Sequence, residues 1–159
     1  MKGADRRLVV VADDDDSMRL LCRVNLEFEG YRVAEAESAE ELERALESGD
    51  VAVVLLDIRL GEDDGIEVAR GLRARYPDMP IAFLSGSVSL GELAATIGDA
   101  SIAKPFTLEE LIETVHRLAR REAPAPSRRS RSPPRRRRRA GASAAYGAWR
   151  EVPPRRVRR

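Results

Sequence analysis

The chain has a single cysteine, Cys22, among its 159 residues, so no intramolecular disulfide is open to it. That scarcity suits a reducing compartment. At a helical position, Cys22 reads as a small core residue rather than a reactive thiol. Long hydrophobic runs are missing too: none approaches the ~20 residues that a helix needs to cross a bilayer. The amino terminus has no apolar signal-peptide core, because it passes from Arg6-Arg7 directly into the run Leu8–Ala12. A cytoplasmic protein with no membrane segment is the expectation.

Positive charge is outnumbered in the first part of the chain, and negative charge is nearly absent from the last. The formal net charge of +1 conceals this division. Residues 1–122 hold 15 Lys+Arg against 26 Asp+Glu, a net of −11, whereas residues 123–159 hold 13 Arg against Glu151 alone, a net of +12. The length suits one ordinary domain with an appendage, placed at 1–122 and 123–159. The second segment carries Ala-Pro pairs, a Ser/Arg/Pro stretch and then Arg135 to Arg139, with almost no aliphatic content. Such a composition buries too little surface to offset chain entropy, so a disordered basic tail is expected. Three uses of it stand open. It binds nucleic acid or another polyanion through residues 128–139, it folds back on the acidic domain, or it is an extension without function.

Within residues 1–122, short apolar runs alternate with helix-period segments. Strands are expected at Leu8–Ala12, Tyr31–Ala34, Val51–Leu56, Ile81–Leu84 and Ser101–Ala103. The first and third are continuously apolar, as in strands covered on both faces. Helices are expected near 17–29, 38–48, 64–75, 89–97 and 107–121. The first places Leu20, Leu21, Val24 and Phe28 on one apolar stripe and ends at Gly30. Ser38 with Glu41, and Thr107 with Glu110, have the spacing of capping boxes. Five strand–helix pairs imply an α/β fold, a parallel sheet with helices on both sides.

Both continuous strands end in carboxylates: Asp13 to Asp16 follow Ala12, and Asp57 follows Leu56. Open parallel sheets bind ligands at the carboxyl ends of their strands. In the common 2-1-3-4-5 order, Asp13 and Asp14 stand beside Asp57, Ser85 closes the fourth strand, and Lys104 closes the fifth. Carboxylates gathered this way repel one another unless a cation joins them, and oxygen ligands favour Mg²⁺. Three carboxylates, a hydroxyl and an ammonium are the groups needed to handle a phosphoryl group, since its transfer rests on positioning and electrostatics. Attack by the Asp57 carboxylate would give an acyl phosphate.

At these residues the chain resembles the response-regulator receiver domain of two-component signalling. The matching pieces are Val9 to Arg19, Leu55 to Gly65, Phe83 to Gly86 and Ala103 to Phe106, within a resemblance running from about Arg6 to Arg121. It implies a flavodoxin-like (βα)5 fold and a phosphoacceptor at Asp57, supplied by a phosphohistidine on a sensor histidine kinase or a histidine phosphotransfer protein. It also implies Mg²⁺ held by Asp13, Asp14, Asp57 and the backbone carbonyl of Arg59. Ser85 matches the switch hydroxyl, Lys104 the lysine that pairs with the phosphoryl group, and Pro105 the residue after a cis peptide bond. Asp15 and Asp16 are left as loop and helix-cap residues.

Three departures bear on output. Ser101 stands where the family usually has Tyr or Phe, so coupling to a rotating aromatic is not expected. The spacing from Ser85 to Lys104 is shorter than usual, which implies a shortened fourth helix. Gly61 replaces a common proline and should loosen the loop after Asp57. The function implied is a switch, not an enzyme in the usual sense, that signals to a downstream protein. The alternative is a nucleic-acid-binding regulator acting through the arginine tail. An Mg²⁺-dependent phosphohydrolase would need a second catalytic Asp two residues after the nucleophile, where Arg59 stands. His116, beside the apolar stripe of the last helix, is expected to be a structural or surface residue rather than a phosphotransfer group.

Overall fold

The computed structural model describes residues 6–121, so the expectations for 123–159, including nucleic-acid binding through 128–139, lie outside the described residues. Runs of Val, Leu and Ile become strands and the periodic segments become helices. The order is β1 (Leu8–Ala12), α1 (Asp16–Phe28), β2 (Arg32–Ala36), α2 (Ala39–Glu47), β3 (Val51–Asp57), β4 (Arg59–Leu60), β5 (Asp63–Asp64), α3 (Gly65–Arg75), β6 (Ile81–Ser85), α4 (Val88–Ala95), β7 (Ala100–Ala103) and α5 (Leu108–Ala119). The main sheet runs β2-β1-β3-β6-β7, all parallel, which is the expected 2-1-3-4-5 order of a doubly wound (βα)5 fold. Its fourth helix, α4, is short at eight residues, as the spacing before Lys104 implied.

Alternation along the strands divides the core in two. Val10, Ala12, Val54, Leu56 and Phe83 pack with α2, α3 and α4 on one side of the sheet. Val9, Val11, Val53, Leu55 and Leu84 pack with Cys22 and Leu26 of α1 and with Leu111, Val115 and Leu118 of α5 on the other. Central strands buried on both faces explain why β1 and β3 are continuously apolar. Register then sets the rim. Ala12 pairs with Leu56, Asp57 with Leu84, and Ser85 with Ala103. The next residues along β1 and β7, Asp13 and Lys104, therefore emerge at the same edge as Asp57.

Two expectations are corrected. The α1 stripe of Leu20, Leu21, Val24 and Phe28 faces outward, with Phe28 90% exposed. The helix instead turns Arg19, Cys22 and Leu26 inward. Apolar residues occupy more than half of this helix, so periodicity alone could not choose the face. The segment after Asp57 is also not a plain loop. It folds into a small antiparallel hairpin, β4 with β5, whose turn uses Gly61 at φ +63°. Gly65 has a sharper requirement: a Cβ there would lie 2.1 Å from the Asp57 carbonyl oxygen. Only a residue without a side chain lets α3 start against the end of β3.

Candidate functional site

Local structure builds the rim from its own caps. The Asp15 side chain accepts from the N–H groups of Ser17 (2.8 Å) and Met18 (3.2 Å), capping α1 and leaving Asp13 and Asp14 free of that work. The Asp13 N–H donates to the Ala36 carbonyl at 3.1 Å, which ties the end of β1 to the end of β2. Asp64 caps α3 through the Ile66 N–H, and the Arg59 N–H donates to Asp57 Oδ1 at 2.8 Å. On the other side, the Lys104 N–H donates to the Ser85 carbonyl at 2.6 Å, and the Lys104–Pro105 peptide is cis, as the resemblance implied.

These supports bring carboxylate oxygens of Asp13, Asp14 and Asp57 within 4.8 Å of one another. Lys104 Nζ lies between two of them, donating to Asp13 Oδ2 at 2.9 Å and to Asp57 Oδ2 at 2.8 Å. Asp13 is fully buried, Asp57 is half-buried, and Asp14 faces solvent. Burial pushes the Asp13 carboxyl above its ordinary range, although the Asp15 N–H and the Lys104 ammonium pull it down. Burial alone would lower the Lys104 pKa. Its hydrogen bonds to Asp57 and Asp13 outweigh that and hold the ammonium charged above the usual range. The buried carboxylate is thus only partly compensated by Lys104. An all-oxygen set this close, with one member open to solvent, fits a hard divalent cation such as Mg²⁺.

Ser85 is buried, but its hydroxyl is not joined to this cluster. It donates to the Ser87 carbonyl at 2.5 Å and accepts from the Ser87 N–H at 3.1 Å, in the loop before α4. Ser101 lies exposed on β7. His116 has a structural setting, its Nδ1 2.8 Å from the Tyr31 hydroxyl and its Nε2 3.3 Å from Glu29. Cys22 is fully buried and its thiol is pushed up to about 12 by burial, which makes it inert at neutral pH. From sequence, Arg19 stands out only as the last residue of the first matching piece. The structure buries it at the rim, where it donates to the Asp13 carbonyl at 2.6 Å. An arginine three residues after a run of acids is the signal that could have found it.

Comparison with known proteins agrees with this geometry. The family model described as the response regulator receiver domain matches residues 9–116. The response regulator MprA of Mycolicibacterium vanbaalenii is 36% identical over 119 residues, covering 73% of this chain and 52% of that protein. This chain therefore spans about half the length of the curated relatives it matches. Among solved structures, a CheY-like receiver domain protein from Methanospirillum hungatei superposes with a TM-score of 0.67 at 27% identity, covering 72% of this chain and 94% of that one. TrrA of Thermotoga maritima, solved in complex with Mg²⁺–BeF, gives 0.65 at 33% identity, with 72% and 99% covered. A family match across most of the described residues, together with the sheet order and the acidic rim, identifies the chain as a member of the response-regulator receiver-domain family of two-component signalling.

Proposed function

We propose that the chain is a phosphorylation-dependent signalling switch in which Asp57 accepts a phosphoryl group from a phosphohistidine on a sensor kinase or phosphotransfer protein. The observation that carries this reading is the joining of Asp13, Asp14, Asp57 and Lys104 at one rim. An oxygen of the Asp57 carboxylate attacks phosphorus, the donor's P–N bond breaks, and the departing imidazole keeps the electron pair and takes a proton from water. Asp13, Asp14, Asp57 and the Arg59 carbonyl would hold Mg²⁺, which when bound neutralises charge on the phosphoryl oxygens. Lys104, already between two carboxylates, donates to a phosphoryl oxygen on the same side. Ser85 exchanges its hydrogen bond at Ser87 for a phosphoryl oxygen, and that exchange shifts the loop before α4 between two populations.

The donor protein docks on the outward stripe of α1, where Leu20, Leu21 and Val24 lead away from the rim and Phe28 closes the helix. Apolar side chains grouped on one exposed helix face are a surface for a protein partner. The output is binding of a downstream protein rather than catalysis on a substrate. A buried, unpaired thiol suits a cytoplasmic setting, and no described helix is long and apolar enough to cross a membrane.

The test is intact-mass measurement after treatment with a small phosphodonor and Mg²⁺. The wild-type chain and Asp15→Asn should gain one phosphoryl group, and Asp57→Asn should gain none. Retained labelling of Asp57→Asn removes the assignment.

A further inference from the structure

A cation in the first turn of a helix faces the positive end of the dipole, and one removed from water loses its hydration. Arg19 accepts both costs. It lies in the opening turn of α1 and is 9% exposed. Its guanidinium is spread over acceptors from three segments. Nη1 donates to the Asp13 carbonyl oxygen at 2.6 Å, and Nη2 pairs with Asp16 on the same helix. Nε is 3.7 Å from Glu35 of β2, and Nη2 is 3.8 Å from Glu37 just beyond that strand. The pairing with Glu35 is shared, because Arg23 binds its other oxygen at 3.0 Å.

None of these bonds reaches a carboxylate of the Asp13–Asp14–Asp57 cluster. What Arg19 grips is the peptide joining Asp13 to Asp14. The N–H of Asp13 is fixed by Ala36 and its carbonyl by Arg19, so both sides of the residue are pinned. A change in the backbone torsions on either side of that peptide would re-aim the Asp13 and Asp14 side chains relative to each other. We infer that Arg19 is a positioning residue of the cation site: it locks the peptide that aims Asp13 and Asp14 at Asp57, and the fork of its guanidinium is what the role requires. This rests on the metal-binding reading above and adds to it a residue that touches neither the cation nor the phosphoryl group.

Charge and positioning predict opposite signs. Removing a positive charge beside an acidic cluster should tighten divalent-cation binding by Coulomb's law. Releasing the peptide should weaken it, by about 10- to 100-fold for a supporting partner of a metal ligand.

The experiment is calorimetric titration of the full chain with Mg²⁺ alone, with circular dichroism recorded on each variant. Arg19→Met keeps much of the side-chain volume and should bind Mg²⁺ about 10- to 100-fold more weakly with the helical signal intact. Unchanged or tighter binding overturns the inference. Arg19→Lys covers the case in which the methionine variant does not fold. It keeps the charge but cannot hold the Asp13 carbonyl and the Asp16 carboxylate in one plane, so it too should bind more weakly, and wild-type affinity in it overturns the inference. A wild-type chain that takes up no Mg²⁺ overturns the metal-site reading itself, and this inference with it.

Discussion

At the scale of single residues, the described part of the molecule depends on a few charged groups held away from water. Asp99 is the structural counterpart of the functional cluster. Its carboxylate accepts from the Ile81 N–H at 2.9 Å, from Arg73 of α3 at 2.8 Å and from Arg121 beyond α5. Burial pushes its pKa up, but these donors together outweigh burial and hold it below the ordinary 3.8. A depressed carboxyl contributes stability that is present above 3.8 and is lost as the pH falls through the lower folded value. Asp99→Asn should therefore cost about 1–3 kcal/mol at neutral pH, and the difference from wild type should shrink in acid below 3.8. Urea titrations at neutral and acidic pH measure both. A difference that stays constant with pH would show that the charge of Asp99 is not what matters. Asp99 is invisible as a node from sequence because its three donors come from distant segments.

At the scale of elements, the junction of β3, the β4–β5 hairpin and α3 sets the geometry around Asp57. The Gly65 N–H donates to the Ile58 carbonyl at 2.7 Å, and a Cβ at Gly65 would lie 2.9 Å from both the Cα and the carbonyl oxygen of Ile58. Those are backbone atoms that cannot rotate aside. Gly65→Ala should lower stability by about 1–3 kcal/mol or more, and it should reduce phosphodonor labelling because relief of the overlap moves Asp57 itself. Denaturation midpoints and intact mass check the two effects; an alanine variant as stable as wild type would mean that α3 can withdraw freely. The hairpin itself was read from sequence only as a loop. Two residues per strand are too few to show alternation, and the positive φ of Gly61 is a property of the closed turn.

At the scale of the whole domain, the acidic rim and the apolar α1 face adjoin, because α1 begins at Asp16, directly after the residues that form the rim. Chemistry and recognition can then be separated by mutation. Leu20→Glu with Val24→Glu alters exposed positions only, so labelling by a small phosphodonor should match wild type. Transfer from a phosphorylated kinase that labels the wild-type chain should slow by about tenfold or more, the effect of losing a central interface contact of 1–2 kcal/mol. Equal transfer to both chains would place the docking surface elsewhere.

The sequence by itself determined the alternation of strands and helices, the apolar character of the central strands, the capping residues Ser38 and Thr107, and the carboxylates at the strand ends. Each of these is a local property: side-chain period, cap chemistry or strand burial acts within a few residues. Tertiary structure alone decided which face of α1 is buried, that Lys104 bridges Asp13 and Asp57, that Ser85 bonds to Ser87 instead of joining the carboxylates, and that Arg19 reaches the Asp13 carbonyl. These depend on the register between strands far apart in the chain and on how helices settle on the sheet. Helix α1 has apolar residues on more than one side, so the choice of face is made only when the sheet supplies the matching surface.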